Sequence, residues 1–287
     1  MNRIAAGAMT VAGTIGLICV IASCSPSRPQ ETPDPAITVE NDIPYPGADG
    51  GDLQADACLP TSSGPHPAVV LVHGGAFKEG DRGTMSRICR ALGDQGFAAF
   101  AVDYRLLPST YPAQVEDVMA SVQWLRDPAQ AERFNLSRSV SILGSSAGAI
   151  IALSAAEQLR SASAPVDAVV ALSPAGSLTA DAAQLGDPRP DLEQVVQEYL
   201  GCDDLSDCAI AGEASPATSA DLLPPTLIIH GSDELIPLQQ AQLLDQSLQT
   251  AGVIHDLIVV DGQKHGLQLL NNDTRAGIVR FLSDHSS

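Results

Sequence analysis

Four short stretches of this chain carry residues whose types and spacing suit nucleophilic chemistry at a carbonyl carbon. Gly144-Ser145-Ser146-Ala147-Gly148 is a G-x-S-x-G that follows the apolar run Ser139-Val140-Ser141-Ile142-Leu143 and opens a small-residue helix, Ala149 to Leu159. A serine hydroxyl is a weak nucleophile unless it stands at an exposed point beside a base, and a strand that turns sharply into a helix lifts it there. Strand and helix approach closely only if the residues two places either side are small. Gly144 and Gly148 meet that demand for Ser146, and Ser145 has no such pair. The second stretch, Val69 to Val72 running into His73-Gly74-Gly75-Ala76-Phe77, is a buried-strand pattern ending in glycines. A carbonyl under attack becomes an oxyanion, which backbone N–H groups stabilise at hydrogen-bonding distance. Gly74 and Gly75 are the natural donors, with the N–H of Ala147 as a third. The remaining two stretches are β-branched strands that end in loops: Leu227-Ile228-Ile229-His230-Gly231-Ser232-Asp233, and Ile258-Val259-Val260-Asp261-Gly262-Gln263-Lys264-His265-Gly266. They supply an acid, Asp233, and a base, His265.

These loops need a rigid scaffold, and the hydrophobic pattern supplies one. Apolar runs predict strands at 37–43, 53–58, 68–73, 98–104, 140–143, 168–172, 226–230 and 256–260. Helical patterns fall at 84–95, 113–125, 146–159, 192–200, 238–251 and 273–283. Alternating strands and helices point to a mostly parallel sheet covered on both faces, with the first strand pair antiparallel. Ligands bind beyond the carboxyl ends of such strands, where all the loops above lie. Residues 173–223 contain no sheet strand, a span well beyond ordinary connection lengths, and are expected to form a cap-like insertion walling the substrate pocket.

The residues quoted above, with Val102-Asp103-Tyr104-Arg105-Leu106, Tyr111-Pro112-Ala113, Asp117 and Ala214-Ser215-Pro216, resemble α/β-hydrolase esterases. The similarity is to the hormone-sensitive-lipase and bacterial carboxylesterase (feruloyl-esterase-like) groups and covers roughly residues 67–267. The chain order Ser, Asp, His is that of the family. Glu234 competes with Asp233 for the role of acid, and motif alignment and the shorter side chain favour Asp233. Ala76-Phe77 depart from the further glycine, or Gly-Trp, that many members carry. If the family uses the second and third positions of that motif, Gly75 and Ala76 replace Gly74 and Gly75 as donors. The resemblance implies an eight-stranded α/β-hydrolase fold and a serine carboxylic-ester hydrolase acting through an acyl-enzyme on small to medium esters. It implies no metal or organic cofactor. The alternatives are a serine peptidase similar to the prolyl-oligopeptidase group and a catalytically silent binding lipoprotein. His73 is expected to brace the oxyanion loop, His230 to be a strand-end core residue, and Asp103, Tyr104, Arg105 and Asp117 to be structural.

Length and composition bound the rest. The 287 residues, 45% hydrophobic and 17% charged, suit one globular domain with a full core. A formal net charge of −19 argues against nucleic acid as a partner, and no protein partner is implied. Met1-Asn2-Arg3 and the apolar stretch Ile4 to Ala22 form a signal peptide over 1–23. Ile21-Ala22-Ser23-Cys24 resembles the lipobox of bacterial lipoproteins, which makes Cys24 the lipidated first mature residue. Residues 24–36, polar and proline-rich, form a tether, and 37–287 the catalytic domain. The expected location is extracytoplasmic and lipid-anchored in the cell membrane, the alternative being plain secretion. Cys58, Cys89, Cys202 and Cys208 then permit three pairings, of which Cys202–Cys208, close together in an acidic loop, with Cys58–Cys89 is favoured.

Overall fold

The computed structural model describes residues 36–286. The expected signal peptide, Cys24 and all but the last residue of the expected tether lie outside them. In chain order the elements are β1 (Ile37–Pro46), β2 (Asp52–Pro60), β3 (His66–Val72), α1 (Ser86–Gly93), β4 (Ala98–Val102), α2 (Ala113–Arg126), α3 (Pro128–Arg133), β5 (Leu136–Ser145) and α4 (Ala147–Ser161). Then follow β6 (Val169–Leu172), α5 (Pro190–Leu200), the single turn α6 (Ile210–Glu213), β7 (Thr226–Gly231), α7 (Leu238–Ala251), β8 (His255–Val260) and α8 (Asn272–His285). The strands form one eight-stranded sheet in the order β1-β2-β4-β3-β5-β6-β7-β8. β1 pairs with β2, and β2 with β4, antiparallel; every later pairing is parallel.

The side-chain alternation of the strands divides the core into two layers. Val70 and Val72 of β3, Phe100 of β4 and Ile142 of β5 face one way and pack against α2, α4 and α7. Val69 and Leu71, Ala99 and Ala101, and Leu143 face the other way and pack against α1 and α8. Both faces are covered, which is why the parallel strands read in sequence as unbroken apolar runs. β1 extends past its apolar run to Pro46, since an edge strand tolerates the prolines at 44 and 46. The helix α3, absent from the sequence expectation, starts with Pro128 at its first position. Asp127 caps it by accepting from the N–H of Ala129 at 2.9 Å.

After β3 the chain crosses to β4 on one side and later places β5 on the other, with Val72 in register with Gly144. The crevice between β3 and β5 is therefore the switch point of the sheet, where a ligand site is expected. Between β6 and β7 the chain builds α5, α6 and short 3₁₀ turns. Cys202 and Cys208 are bonded within this insertion, and Cys58 of β2 is bonded to Cys89 of α1, with Cα separations of 5.8 and 5.7 Å. Arg82 pairs with Asp42, Asp56 and Asp103, and Arg105 reaches the fully buried carboxylate of Asp117 at 2.8 Å. These pairs hold the loops around β2 and β4, as the structural reading of Asp103, Arg105 and Asp117 expected.

Candidate active site

Ser146 sits at the junction of β5 and α4 with φ 56° and ψ −123°, a conformation that a non-glycine residue holds only when its surroundings enforce it. The enforcement is visible. Its N–H donates to Leu172 O at 2.8 Å. A Cβ on Gly144 would lie 2.1 Å from Gly148 O, and one on Gly148 would lie 2.2 Å from His73 O. The two glycines thus let strand, helix and the loop after β3 meet at one point. Ser145 is buried, whereas Ser146 is half-buried and lines a cleft.

The loop after β8 brings His265 to this serine. The Ser146 hydroxyl donates to His265 Nε2 at 2.8 Å. On its other side, His265 Nδ1–H donates to the carboxylate of Glu234. Asp233, the acid expected from the sequence, does not face His265, and the structure corrects that assignment to Glu234. The reason lies in the backbone after β7. Ser232 and Asp233 donate their N–H groups to Val260 O and Gly262 O, at 2.9 and 3.2 Å, and so stay alongside the end of β8. Asp233 is exposed there, within 3.2 Å of Gln263 Nε2. One residue later the chain turns inward and the Glu234 side chain becomes fully buried.

Glu234 Oε1 accepts from Gly231 N–H at 2.9 Å and from the Ser173 hydroxyl at 2.7 Å, and His230 Nδ1 lies 2.9 Å away. Burial alone would raise the carboxyl pKa. The histidine and backbone donors outweigh burial and hold it near about 2, against an ordinary 4.5. A fixed anion beside Nδ1 selects the tautomer that leaves Nε2 free to accept from Ser146.

The loop after β3 faces the serine across the crevice. Gly75, Ala76 and Phe77 follow one another at φ 125°, 51° and 63°, which turns the chain sharply. Gly74 packs on the serine turn, where a Cβ would come within 2.8 Å of Ser145 O. Ala76, Phe77 and Ala147 line the cleft beside Ser146. His73 is buried, and its Nδ1–H donates to Gly74 O at 2.7 Å. Its ring stacks on Tyr104 with centroids 4.3 Å apart, and the Tyr104 hydroxyl donates to His73 O at 2.8 Å. Burial pushes the His73 imidazole below its ordinary 6.5, so it braces the loop as a neutral ring.

The cleft has a volume of about 210 Å³. Its floor is Ile150 and Ile236, and one wall is the insertion, through Leu178 and through Leu192, Val195 and Val196 of α5. A wide apolar slot ending at a serine–histidine–carboxylate relay suits a substrate with an uncharged organic group beside a carbonyl. Among the described residues, no group of three or more His, Cys, Asp and Glu side chains is arranged as a metal site.

Comparison with known proteins agrees with this geometry. The profile of the alpha/beta hydrolase fold family matches residues 69–269. The chain belongs to that family. Carboxylic ester hydrolase LipN of Mycobacterium tuberculosis is 28% identical over 270 residues, covering 88% of this chain and 71% of LipN. An acetyl-hydrolase of Streptomyces hygroscopicus is 34% identical over 197 residues, 64% of this chain and 62% of the relative. Among solved structures, an esterase of Pyrobaculum calidifontis superposes with a TM-score of 0.74 at 26% identity, over 87% of this chain and 86% of that one. Within this alpha/beta hydrolase the sequence pattern had marked Ser146, His265 and the glycine loop. Ser173 carried no motif, and Glu234 ranked second to its neighbour.

Proposed function

We propose that this protein is a serine carboxylic-ester hydrolase acting through an acyl-enzyme on small to medium esters. The observation that carries the reading is the relay from Ser146 Oγ to His265 Nε2, at 2.8 Å, backed by the buried Glu234 carboxylate. His265 accepts the Ser146 proton as Oγ attacks the ester carbonyl, and Glu234 stabilises the imidazolium that forms. The N–H groups of Gly74, Gly75 and Ala147 are assigned to the developing oxyanion, with Gly75 and Ala76 the alternative pair in the loop. His265 then protonates the departing alcohol, and water repeats the sequence to free the acid. Esterase names among the relatives support the same chemistry. Of the two carboxylates lining the cleft, Asp191 is paired with Arg189 at 2.7 Å and Glu193 accepts from Gln184 Nε2 at 3.4 Å, so the peptidase alternative would rest on Glu193 as the anchor for a peptide amine.

A fluorophosphonate probe is expected to label one residue, and Ser146→Ala to abolish both labelling and ester turnover. An adduct on Ser145 or elsewhere would reject the assignment. A panel of short- to long-chain aryl esters, with acetylated and feruloylated sugars, identifies the substrate range.

The protein is further proposed to be a lipoprotein anchored through Cys24 on the outer side of a cell membrane. The lipobox-like Ile21-Ala22-Ser23-Cys24 and the polar segment after it support this. Two disulfides suit an oxidising compartment.

A further inference from the structure

The Ser173 hydroxyl occupies a place that neither the fold nor the serine–histidine–acid relay requires. Ser173 follows β6 directly, is fully buried, and holds φ at 54°. Its N–H continues the ladder to β7 by donating to Ile229 O at 2.8 Å. The hydroxyl then spans two parts of the site. It donates to Glu234 Oε1 at 2.7 Å and accepts from Gly266 N–H at 2.8 Å. Gly266 is the residue after His265, so a single oxygen ties the acid to the loop that carries the base.

The other contacts of Glu234 define what this tie does. Gly231 N–H and His230 Nδ1 crowd the same oxygen, Oε1. His230 Nδ1 also lies 2.9 Å from Gly231 O, to which it donates. With a carboxylate and a carbonyl both facing it, Nδ1 carries a proton. His230 Nε2 is buried with no hydrogen-bond partner among the described residues. Oε1 is thereby surrounded by donors, and only Oε2 is left to receive His265. A carboxylate on a flexible stem would otherwise sample several rotamers and present either oxygen.

We infer that Ser173 is a positioning residue for ester hydrolysis: by binding Glu234 Oε1 and Gly266 N–H together, it fixes the carboxylate and the His265 loop in one relative placement. His230 supports the same seat from the opposite side. The inference rests on the proposed roles of Ser146, His265 and Glu234. The gain belongs to the transition state, where the imidazolium exists, so it is expected in kcat and not in substrate binding.

The test compares Ser173→Ala, which removes the hydroxyl and keeps the strained backbone, with Ser173→Gly, which removes the hydroxyl and relieves the strain. Steady-state turnover of an aryl ester and the rate of Ser146 labelling by a fluorophosphonate are measured for each, in the wild-type and Glu234→Gln backgrounds. Both variants are expected to lose roughly 10- to 100-fold in kcat, the size of one charge-assisted hydrogen bond, with KM within about 2-fold. Labelling should slow in parallel. In the Glu234→Gln background the Ser173 substitutions should cost less than about 3-fold, because the two residues act as one unit. Wild-type kcat in Ser173→Gly would overturn the inference, since the residue would then matter only for its backbone. A loss confined to KM, or an undiminished loss beside Glu234→Gln, would overturn it equally. Should Ser173→Ala not fold, Ser173→Gly and the pair His230→Asn and His230→Leu read the same seat. There the amide of Asn, which keeps a donor near the position of Nδ1, should restore more kcat than Leu. A wild-type protein that neither turns over esters nor labels at Ser146 would instead reject the functional reading.

Discussion

Glu234 is pulled in two directions, and the balance makes its role measurable. Burial favours the neutral acid, while His230, His265 and Gly231 N–H favour the anion strongly enough to hold the group near about 2. A carboxyl whose folded value lies below its unfolded one contributes stability above the unfolded value of 4.5, and loses it as pH falls towards 2. That difference is worth about 3 kcal/mol. Urea titrations between pH 5 and pH 2 are therefore expected to show the wild type losing about 3 kcal/mol more than Glu234→Gln. Parallel curves would mean that the carboxylate is not held this way. For activity, Glu234→Ala should lower kcat about 10³-fold or more, whereas Asp233→Ala should stay within about 3-fold. The reverse ranking would restore the sequence assignment. Most of the site was legible because its demands are steric and leave a trace in residue type: glycines flanking Ser146, glycines after β3, and a histidine in a Gly-flanked loop. The acid leaves no such trace. Asp233 and Glu234 are adjacent and both carboxylic, and only the pairing of Ser232 and Asp233 with the loop after β8 decides which one turns inward.

At the scale of elements, the sheet was readable for the reason it is stable: two covered faces turn each parallel strand into a continuous apolar run. The insertion was not readable in detail, since its short turns have no period and α5 takes its meaning from what it touches. Leu192, Val195 and Val196 wall the cleft, while Tyr199, one turn on, stacks on Phe77 of the loop after β3 at a centroid distance of 3.7 Å. Gly201 ends the helix, and the Cys202–Cys208 bond follows at once. So short a loop restricts little of the unfolded chain, and the bond contributes at most about 2–3 kcal/mol. Replacing both cysteines by serine is expected to change acyl-length preference across the aryl-ester panel more than it lowers Tm. An unchanged profile would separate the bond from the cleft. A second test concerns the junction of α4 with the 3₁₀ segment Pro216–Leu222. There burial, with Asp221 and Glu213 nearby, raises Glu157 to about 7 despite a hydrogen bond from Ser219. A carboxyl raised on folding destabilises as pH climbs from 4.5 through 7. Glu157→Gln should therefore stabilise the protein at pH 8, read as a rise in Tm, by on the order of 2 kcal/mol once the shift is discounted for the group's partial exposure to solvent, and leave stability nearly unchanged at pH 4.

For the whole molecule, the topology of β1 matters most. Ala36 O accepts from Thr61 N–H at 3.1 Å, and Ile37 is in register with Pro60 at the far end of β2. Cys58 pairs with Ala99, and β4 and β3 begin together through Ala98 and Ala68. The described chain thus enters at the edge of the sheet where the parallel strands begin, and Ser146, Glu234 and His265 lie where those strands end. A strand of 10 residues such as β5 spans about 33 Å, so the cleft opens at the opposite end from the point of entry. The net charge of −19 gives the protein little attraction for an anionic lipid surface. Two outcomes are expected. Mass spectrometry of the mature amino terminus should find lipid on Cys24, and Cys24→Ala should block that attachment; an unmodified terminus beginning elsewhere would mean plain secretion. A protein starting at residue 36 should match the full-length protein in kcat/KM on a water-soluble aryl ester within about 2-fold, because among the described residues the cleft lining and the relay begin at Ala76. A loss of 10-fold or more on truncation, with Tm unchanged, would show that residues before 36 contribute to the cleft itself.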